Sequence, residues 1–546
     1  MLWGAAACVL AASPLFASDV VQTPVDRADP SVLEKELNDA PSPPRPSRTI
    51  VDTDEAPISG SEVTEPVLAS AIRVDNAIAL PQAAFAGVVG RYAGRTLTAA
   101  ELRTLAADIA AVARAAGYGL ATAWIPAQQV ENGILRVRID EGSIDAVEVS
   151  GSGRAAVVPR LQHLADGKPL LMAELERRLL IAGDLPGIRL GKARLVRKNG
   201  RNVLVVASEL RRVEGVASMD NWGSSTSGPV RTRLSVDVNA LLASDDRLSV
   251  DAVLTPLQPR EFGLVRAAYT ASIGTNGTEV SVGGYAARSE AGGALADRDL
   301  DGKSTELNVA VRHPIVRSRD ASIWAELSGK TRSSEQSRQN ELVREDRLST
   351  VTASLYGTRR FEGGRLRGHL AFVQGLDVLG ATQAGDPLAS RADADGTFSK
   401  LEFGGEFEHR LGYDFNMFFQ VEAQLAGGPL LSSEEMGLGG RWFGRAWNFR
   451  EFSGDRGIAG SLELRYDWTK PMGPLEAAQL YAYLDGGAVA NLDGGTGGGS
   501  LASAGLGFRL WLPHAMRGSL QLGIPLAKSA DGTGDPRVSA TLEKRF

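Results

Sequence analysis

The feature that most constrains this chain is a period-two alternation that runs, broken only by Gly/Asp/Ser turns, from about residue 214 to residue 546. In Ser461-Leu462-Glu463-Leu464-Arg465-Tyr466-Asp467-Trp468 the pattern has no fault. Leu462, Leu464, Tyr466 and Trp468 take one face, and Glu463, Arg465 and Asp467 the other. Successive strand side chains point to opposite sides, so this is a strand with one apolar and one charged face. The pattern recurs at residues 230–238, 248–254, 307–312, 365–372 and 402–408. A soluble β-sandwich also alternates, but its polar face does not stay so rich in charge over so many strands. Lipid outside and water inside account for both faces. At about 20 residues per strand with its loop, the region holds roughly 16 strands, an even number as closed membrane barrels have.

The 546 residues exceed one ordinary domain. No run approaches the roughly 18 apolar residues of a membrane helix, so any crossing is made by a barrel. A net charge of -6 without a basic tract argues against a nucleic-acid partner. Residues 1–17, a short apolar core followed by Pro14 and small residues, read as a secretory signal peptide. Cys8, the one cysteine, would leave with it, removing disulfides and Cys-based metal sites. The five histidines (His163, His313, His369, His409, His514) are scattered without metal-ligand spacing, and no nucleophile elbow or P-loop occurs. Neither a catalytic constellation nor a cofactor or metal site is expected.

Residues 18–70 are polar and rich in proline, the composition of a linker. One helix is expected inside it, at residues 30–38, with Asp29 or Ser31 as cap and Pro41 as stop. Two compact units of order β-α-α-β-β follow, at residues 71–143 and 144–213. In the first, strand 72–77 and helix 81–92 precede a helix capped by Thr98 with Glu101 in a capping box and ended by Gly117. Strands 120–125 and 134–140 complete it. The second has strand 144–149, helices 157–165 and 171–181, and a hairpin turning at Asn199-Gly200. Each unit is expected to be a three-stranded sheet under two helices.

Between two late strands lies Gly439-Gly440-Arg441-Trp442-Phe443-Gly444-Arg445-Ala446-Trp447-Asn448-Phe449, running on to Gly457. It is too long for a hairpin turn, and its large aromatics, Trp442, Phe443 and Trp447 among them, suit a loop tucked against something rather than one in solvent.

Several motifs resemble those of the outer-membrane transporters of two-partner secretion, the haemolysin secretion/activation type within the outer-membrane assembly superfamily. Leu175-Glu176-Arg177-Arg178-Leu179-Leu180 with Asp184-Leu185-Pro186-Gly187-Ile188 is similar to the second POTRA domain's helix and exit. Asp220-Asn221-Trp222-Gly223 looks like the entry to the first barrel strand, and His313-Pro314 resembles a strand end. Gly444-Arg445-Ala446-Trp447 aligns with the family's Val-Arg-Gly-aromatic tetrad on the sixth extracellular loop, with the first and third positions changed. Tyr483-Leu484-Asp485-Gly486-Gly487 matches its barrel counterpart, aromatic-x-Asp-x-Gly.

The resemblance implies two periplasmic POTRA domains (71–143, 144–213), a 16-stranded barrel (214–546), and a plug helix with linker (18–70). It implies a bidentate loop-barrel lock between Arg445 and Asp485, with Trp442, Phe443 and Trp447 wedging the loop and Gly486 and Gly487 admitting its backbone. The terminal Phe546 resembles an assembly signal read by the barrel assembly machinery. The implied function is secretion of a partner exoprotein, adhesin- or haemolysin-like and β-helical, across the outer membrane of a Gram-negative bacterium without ATP. Two rivals remain: an insertase for other outer-membrane proteins, and a passive porin.

Overall fold

The computed structural model describes residues 26, 29–37, 51–53, 59–469, 471, 473–527 and 534–546. The expected signal peptide with Cys8, and most of the Pro-rich segment, lie outside these residues.

Sixteen antiparallel strands, from Val213–Asp220 to Arg537–Arg545, close on themselves. The seam pairs the first strand with the last, Val216 facing Arg545 and Asp220 facing Thr541. Closure leaves no row of unpaired backbone groups, which is what lets strands cross hydrocarbon. Burial is inverted relative to a soluble protein: Leu307 is 69% exposed and Arg332 is 4% exposed. Val309, Val311, Leu327, Leu355 and Phe372 are likewise exposed, while Arg231, Lys400 and Glu463 are buried. Such a distribution is stable only with lipid against the aliphatic face. At the rim nearer the N-terminal units, Phe361, Phe407 and His409 stack with ring centroids 5.7 to 6.1 Å apart, part of an aromatic belt. No described helix is long and apolar enough to cross a membrane.

The first strand begins at Val213, directly after the second small unit, so Asp220-Asn221-Trp222-Gly223 lies at its exit and not at its entry. There the Asn221 side chain replaces a backbone unit: its Nδ2 donates to Val538 O at 3.0 Å and its Oδ1 accepts from Ala540 N at 2.7 Å. His313-Pro314 sits inside strand Leu300–Arg317, where the ladder shifts register after Pro314. Proline cannot donate to a ladder, so the irregularity falls where the chemistry puts it.

In the first small unit, helix Ala99–Ala115 packs Leu102, Leu105 and Ile109 on Leu135, Val137 and Ile139 of strand Ile134–Asp140. Thr98 caps the helix with a complete capping box. The Thr98 backbone N–H, and then its hydroxyl, hold the Glu101 carboxyl below the ordinary carboxylate range. The stretch 81–92 opens as a tight 3-10 turn, Gln82–Phe85, before helix Ala86–Tyr92. The second unit repeats the order with strand Ala146–Ser150, helices Arg154–Leu161 and Met172–Asp184, and hairpin Ile188–Lys198 with Arg201–Leu210.

Each sheet has four strands, not three. Gly60–Ser61 pairs in parallel with Thr122–Ile125, and Val51–Thr53 pairs in parallel with Ile188–Lys198. Segments of two or three residues beside prolines carry no period to read, so the added strands are invisible in the sequence.

The second unit docks on the near rim of the barrel. Asp184 takes both Arg317 contacts at 2.7 Å, Arg178 reaches Asn276 at 2.9 Å, and Arg177 donates to the Pro314 carbonyl at 3.1 Å. The Leu175-to-Leu180 motif is thus a docking surface as well as a helix.

Candidate functional site

Two segments fill the lumen. The first is helix Pro30–Leu37, eight residues of which seven are buried. So short a helix is marginal in water on its own. Here Asp29 caps it, accepting from Ser31 N at 2.8 Å, and Ser334 of the barrel wall donates to the same carboxylate at 2.9 Å. Leu33 and Leu37 pack with Val253, Phe262, Leu264 and Tyr285. On the other side Glu36 holds Arg231 through two contacts, at 2.6 and 3.2 Å, and Glu34 pairs with Arg266. The capping residue is Asp29 of the two expected, and Asn38 lies outside the described residues.

The second segment is the loop between strands Phe415–Ala426 and Arg456–Trp468. It folds back as a small hairpin, Met436–Leu438 with Phe452–Gly454. Gly439, at φ +101°, permits the reversal: a Cβ there would meet Asn448 O at 2.1 Å. Beyond it Phe443, Ala446 and Trp447 are buried against Leu438, Phe452, Val489 and Leu501, with Trp442 half-buried beside them. The Arg441 guanidinium lies 4.5 Å from the centre of the Trp442 ring.

The Arg445 side chain points at a square on the wall. Ser461 faces Asp485, and Glu463 faces Tyr483, across strands Arg456–Trp468 and Ala477–Ala490. Arg445 Nε donates to Asp485 at 2.8 Å, Nη1 donates to Glu463 at 2.7 Å, and Nη2 donates to the Ser461 hydroxyl. Its guanidinium sits 3.9 Å from the Tyr483 ring centre. Gly444 N adds a bond to Asp485 at 3.1 Å. Arg445 and Asp485 therefore meet, but the expected bidentate pair does not form, because the guanidinium divides between two carboxylates and a hydroxyl.

Gly486 and Gly487 do not admit the loop backbone as expected. They stand closest to neighbouring strands and to the Leu438 side chain. The loop backbone passes over Gly523, where a Cβ would lie 3.1 Å from Arg445 O and 3.3 Å from Ala446 Cα. Nothing in the sequence marks Gly523, Glu463 or Ser461 as a partner of the loop. The inward phase of Glu463 was visible, whereas Gly523 carries no motif.

Further ion pairs tie the loop to the wall. Glu434 contacts Lys400 at 2.9 Å and pairs with Arg332, and Glu435 holds Arg450 at 2.7 Å. Between helix and loop the cavity lined by Val32, Glu36, Ser225 and Asn448 measures about 60 Å³, room for only a few waters. Among the described residues no group of His, Cys, Asp and Glu is placed to hold a metal ion. At the seam Phe546 exchanges backbone bonds of 2.9 and 3.0 Å with Gly215. Its ring covers that glycine, where a Cβ would meet it at 2.3 Å.

The sequence matches the family described as haemolysin secretion/activation protein ShlB/FhaC/HecB over residues 199–510. The chain belongs to this family. An ShlB-type POTRA domain matches residues 67–142. Membership of this family makes it an outer-membrane barrel with its POTRA region in the periplasm. The heme/hemopexin transporter protein HuxB of Haemophilus influenzae is 23% identical over 370 residues, 65% of this chain and 64% of the relative. The match thus spans less than two thirds of that relative's length. CdiB from Escherichia coli superposes with a TM-score of 0.75 at 18% identity, over 97% of this chain and 100% of that one. CdiB from Acinetobacter baumannii gives 0.64 at 15% identity, over 94% and 96%. At such identities these two superpositions describe a shared fold.

Proposed function

We propose that this transporter captures a partner exoprotein in the periplasm and passes it, unfolded and without ATP, through its barrel to the cell surface. The observation that carries the reading is the filling of the lumen. Besides their apolar packing, helix and loop are held there by polar and ionic contacts to the wall, which can be exchanged for water or for a polar polypeptide as they leave. A passive porin has no use for such a stopper, and an insertase has no need to empty its lumen. The units 71–143 and 144–213 are the recognition modules in this reading. The free sheet edges Ala71–Asp75 and Ala146–Ser150 are suited to adding an extended peptide by backbone pairing. A groove lined by Val147, Val149, Arg154 and Val158 runs beside the second. Arg445 and Asp485 act as the loop-barrel lock, Trp442, Phe443 and Trp447 pack the loop, and Phe546 presents the assembly signal. The exoprotein is adhesin- or haemolysin-like and β-helical.

The test is deletion of residues 71–212 in cells expressing the cognate exoprotein. A heat-modifiable barrel in the membrane with secretion abolished is the expected result. Continued secretion by the truncated protein would overturn the recognition role.

A further inference from the structure

On the periplasmic side of the loop lock the wall repeats the construction of the lock without any loop. Strand Ala477–Ala490 is the thirteenth of the sixteen and so rises, like the first, from the periplasmic rim. Tyr481 on its inner face therefore lies one step of the alternation nearer the periplasm than Tyr483. Both rings lean over the neighbouring strand Gly499–Leu512, where two glycines leave room for them. A Cβ at Gly505 would meet the Tyr483 ring at 2.5 Å, and one at Gly507 would meet the Tyr481 ring at 2.4 Å. A guanidinium lies over each ring. Arg445 of the loop covers Tyr483 at 3.9 Å, whereas Arg509 of the wall itself covers Tyr481 at 4.0 Å. On the other side of Glu463, Arg465 covers Phe418 at 3.8 Å.

The two wall arginines are fixed planes. Arg509 donates to Gln479 at 2.6 Å and to the Glu463 oxygens at 3.2 and 3.1 Å, and Arg465 donates from Nε to Glu463 at 2.6 Å. Their edges are thus held by the wall, and one face of each is held by a ring. The Tyr481 ring beneath is buried, while the Arg509 and Arg465 side chains keep 25% and 14% exposure, so the guanidinium is the layer that meets the lumen. Among the described residues no second ring lies over either of them. A guanidinium whose edge donors are engaged has little left for a carboxylate, but its face accepts planar groups, aromatic rings above all. The lock shows a polypeptide seated on the next such ring: the guanidinium over Tyr483 belongs to the loop, and Gly444 N of the same segment bonds the wall at 3.1 Å.

We infer that Arg509 and Arg465, backed by Tyr481 and Phe418, form a stacking site for the aromatic side chains of an extended polypeptide entering from the periplasm. In transport the unfolded exoprotein rests its aromatic residues on these planes before it reaches the loop, whose Arg445 shares Glu463 with both of them. The transport role rests on the secretion reading, and the site itself does not.

The test uses the full chain in lipid nanodiscs and a short labelled peptide of glycine and serine carrying two tryptophans, with binding read by fluorescence anisotropy. The same peptide with leucine or with glutamate in place of tryptophan should bind about tenfold more weakly. Arg465→Lys with Arg509→Lys keeps both charges and removes both planes, and should bring the tryptophan peptide down to the leucine level while the barrel stays heat-modifiable. If that double variant does not fold, Phe418→Leu takes its place, since it removes only the ring behind Arg465 and should weaken the tryptophan peptide alone. Leucine binding as tightly as tryptophan, glutamate binding more tightly, or tryptophan binding untouched by these variants overturns the site. In cells the double lysine variant should secrete the cognate exoprotein more slowly, and an unchanged rate overturns the transport role. If the unaltered chain secretes no exoprotein, the secretion reading fails, while the peptide series still decides the site.

Discussion

Arg445 and Glu463 meet at 2.7 Å on the inner wall of the barrel, one strand away from the Asp485 carboxylate that the same guanidinium touches at 2.8 Å. Glu463 is the more heavily used acid, since Arg465 and Arg509 also reach it, at 2.6 and 3.1 Å. At this point on the wall the loop is therefore held by one cation spread over two acids, and the substitutions are not equivalent. Arg445→Ala removes every polar contact of that side chain and should loosen the loop by about 3 kcal/mol. Asp485→Ala leaves the Glu463 contact and should cost less, while Asp485→Ala with Glu463→Ala should approach the Arg445→Ala phenotype. Protease cleavage of the loop on intact cells, read beside secretion, checks this. Strictly additive effects of Arg445→Ala and Asp485→Ala would show that the two side chains act independently.

The helix contacts set a graded test of occlusion. Deleting residues 29–37 should raise single-channel conductance in planar bilayers with the barrel still closed and folded. Glu36→Gln, which removes the charge facing Arg231, should give brief openings instead of a permanent one. The neutral amide still donates and accepts hydrogen bonds, but the buried guanidinium loses most of its compensation. Unchanged conductance in the deletion would mean that the loop alone seals the lumen.

The barrel could be read from the sequence because one rule with period two holds over hundreds of residues and charge marks the inner face. The faultless alternation at 461–468 even placed Glu463 in the lumen, where it is 3% exposed. What could not be read depends on which strands lie side by side. The square of Ser461, Glu463, Tyr483 and Asp485 exists only in the register between two strands, and registers are not written in either strand alone. The same holds for Gly523, on a strand that is distant in sequence from the loop it accommodates. The fourth strand of each small sheet escaped for a different reason: three or fewer residues, supplied by a proline-rich segment, have no pattern of their own.

Phe546 closes the last strand by exchanging two backbone bonds with Gly215, and its ring is 61% exposed on the outer surface. Removing it costs the seam one of its few pairs and removes an aromatic from the interface belt. Slower assembly, with unfolded protein accumulating in the periplasm, is the expected outcome in a pulse-chase heat-modifiability assay. Phe546→Tyr should restore assembly, since the ring and backbone pair remain. A truncated chain that folds at the normal rate would assign Phe546 to packing alone.

Gly523 offers a way to unseat the loop without touching any charge. A Cβ at this position would sit 2.8 Å from Tyr483 Oη, 3.1 Å from Arg445 O and 3.3 Å from Ala446 Cα. The first neighbour is the phenol oxygen of Tyr483, whose buried ring lies under the Arg445 guanidinium, and the other two are loop backbone. Gly523→Ala therefore asks for a shift of a few tenths of an ångström, and Gly523→Leu for much more. The strand itself tolerates both, because the position lies within the regular ladder facing Arg537 and lacks a left-handed backbone. The expected series is near-normal secretion for Ala and loss of secretion for Leu, with Arg445, Glu463 and Asp485 all present. The barrel should stay inserted and heat-modifiable in both. Protease sensitivity of the loop should rise in the same order, as it does for Arg445→Ala. If Gly523→Leu secretes normally with a protected loop, the loop need not lie against this strand for function, and the lock would have to be sought in the ion pairs alone.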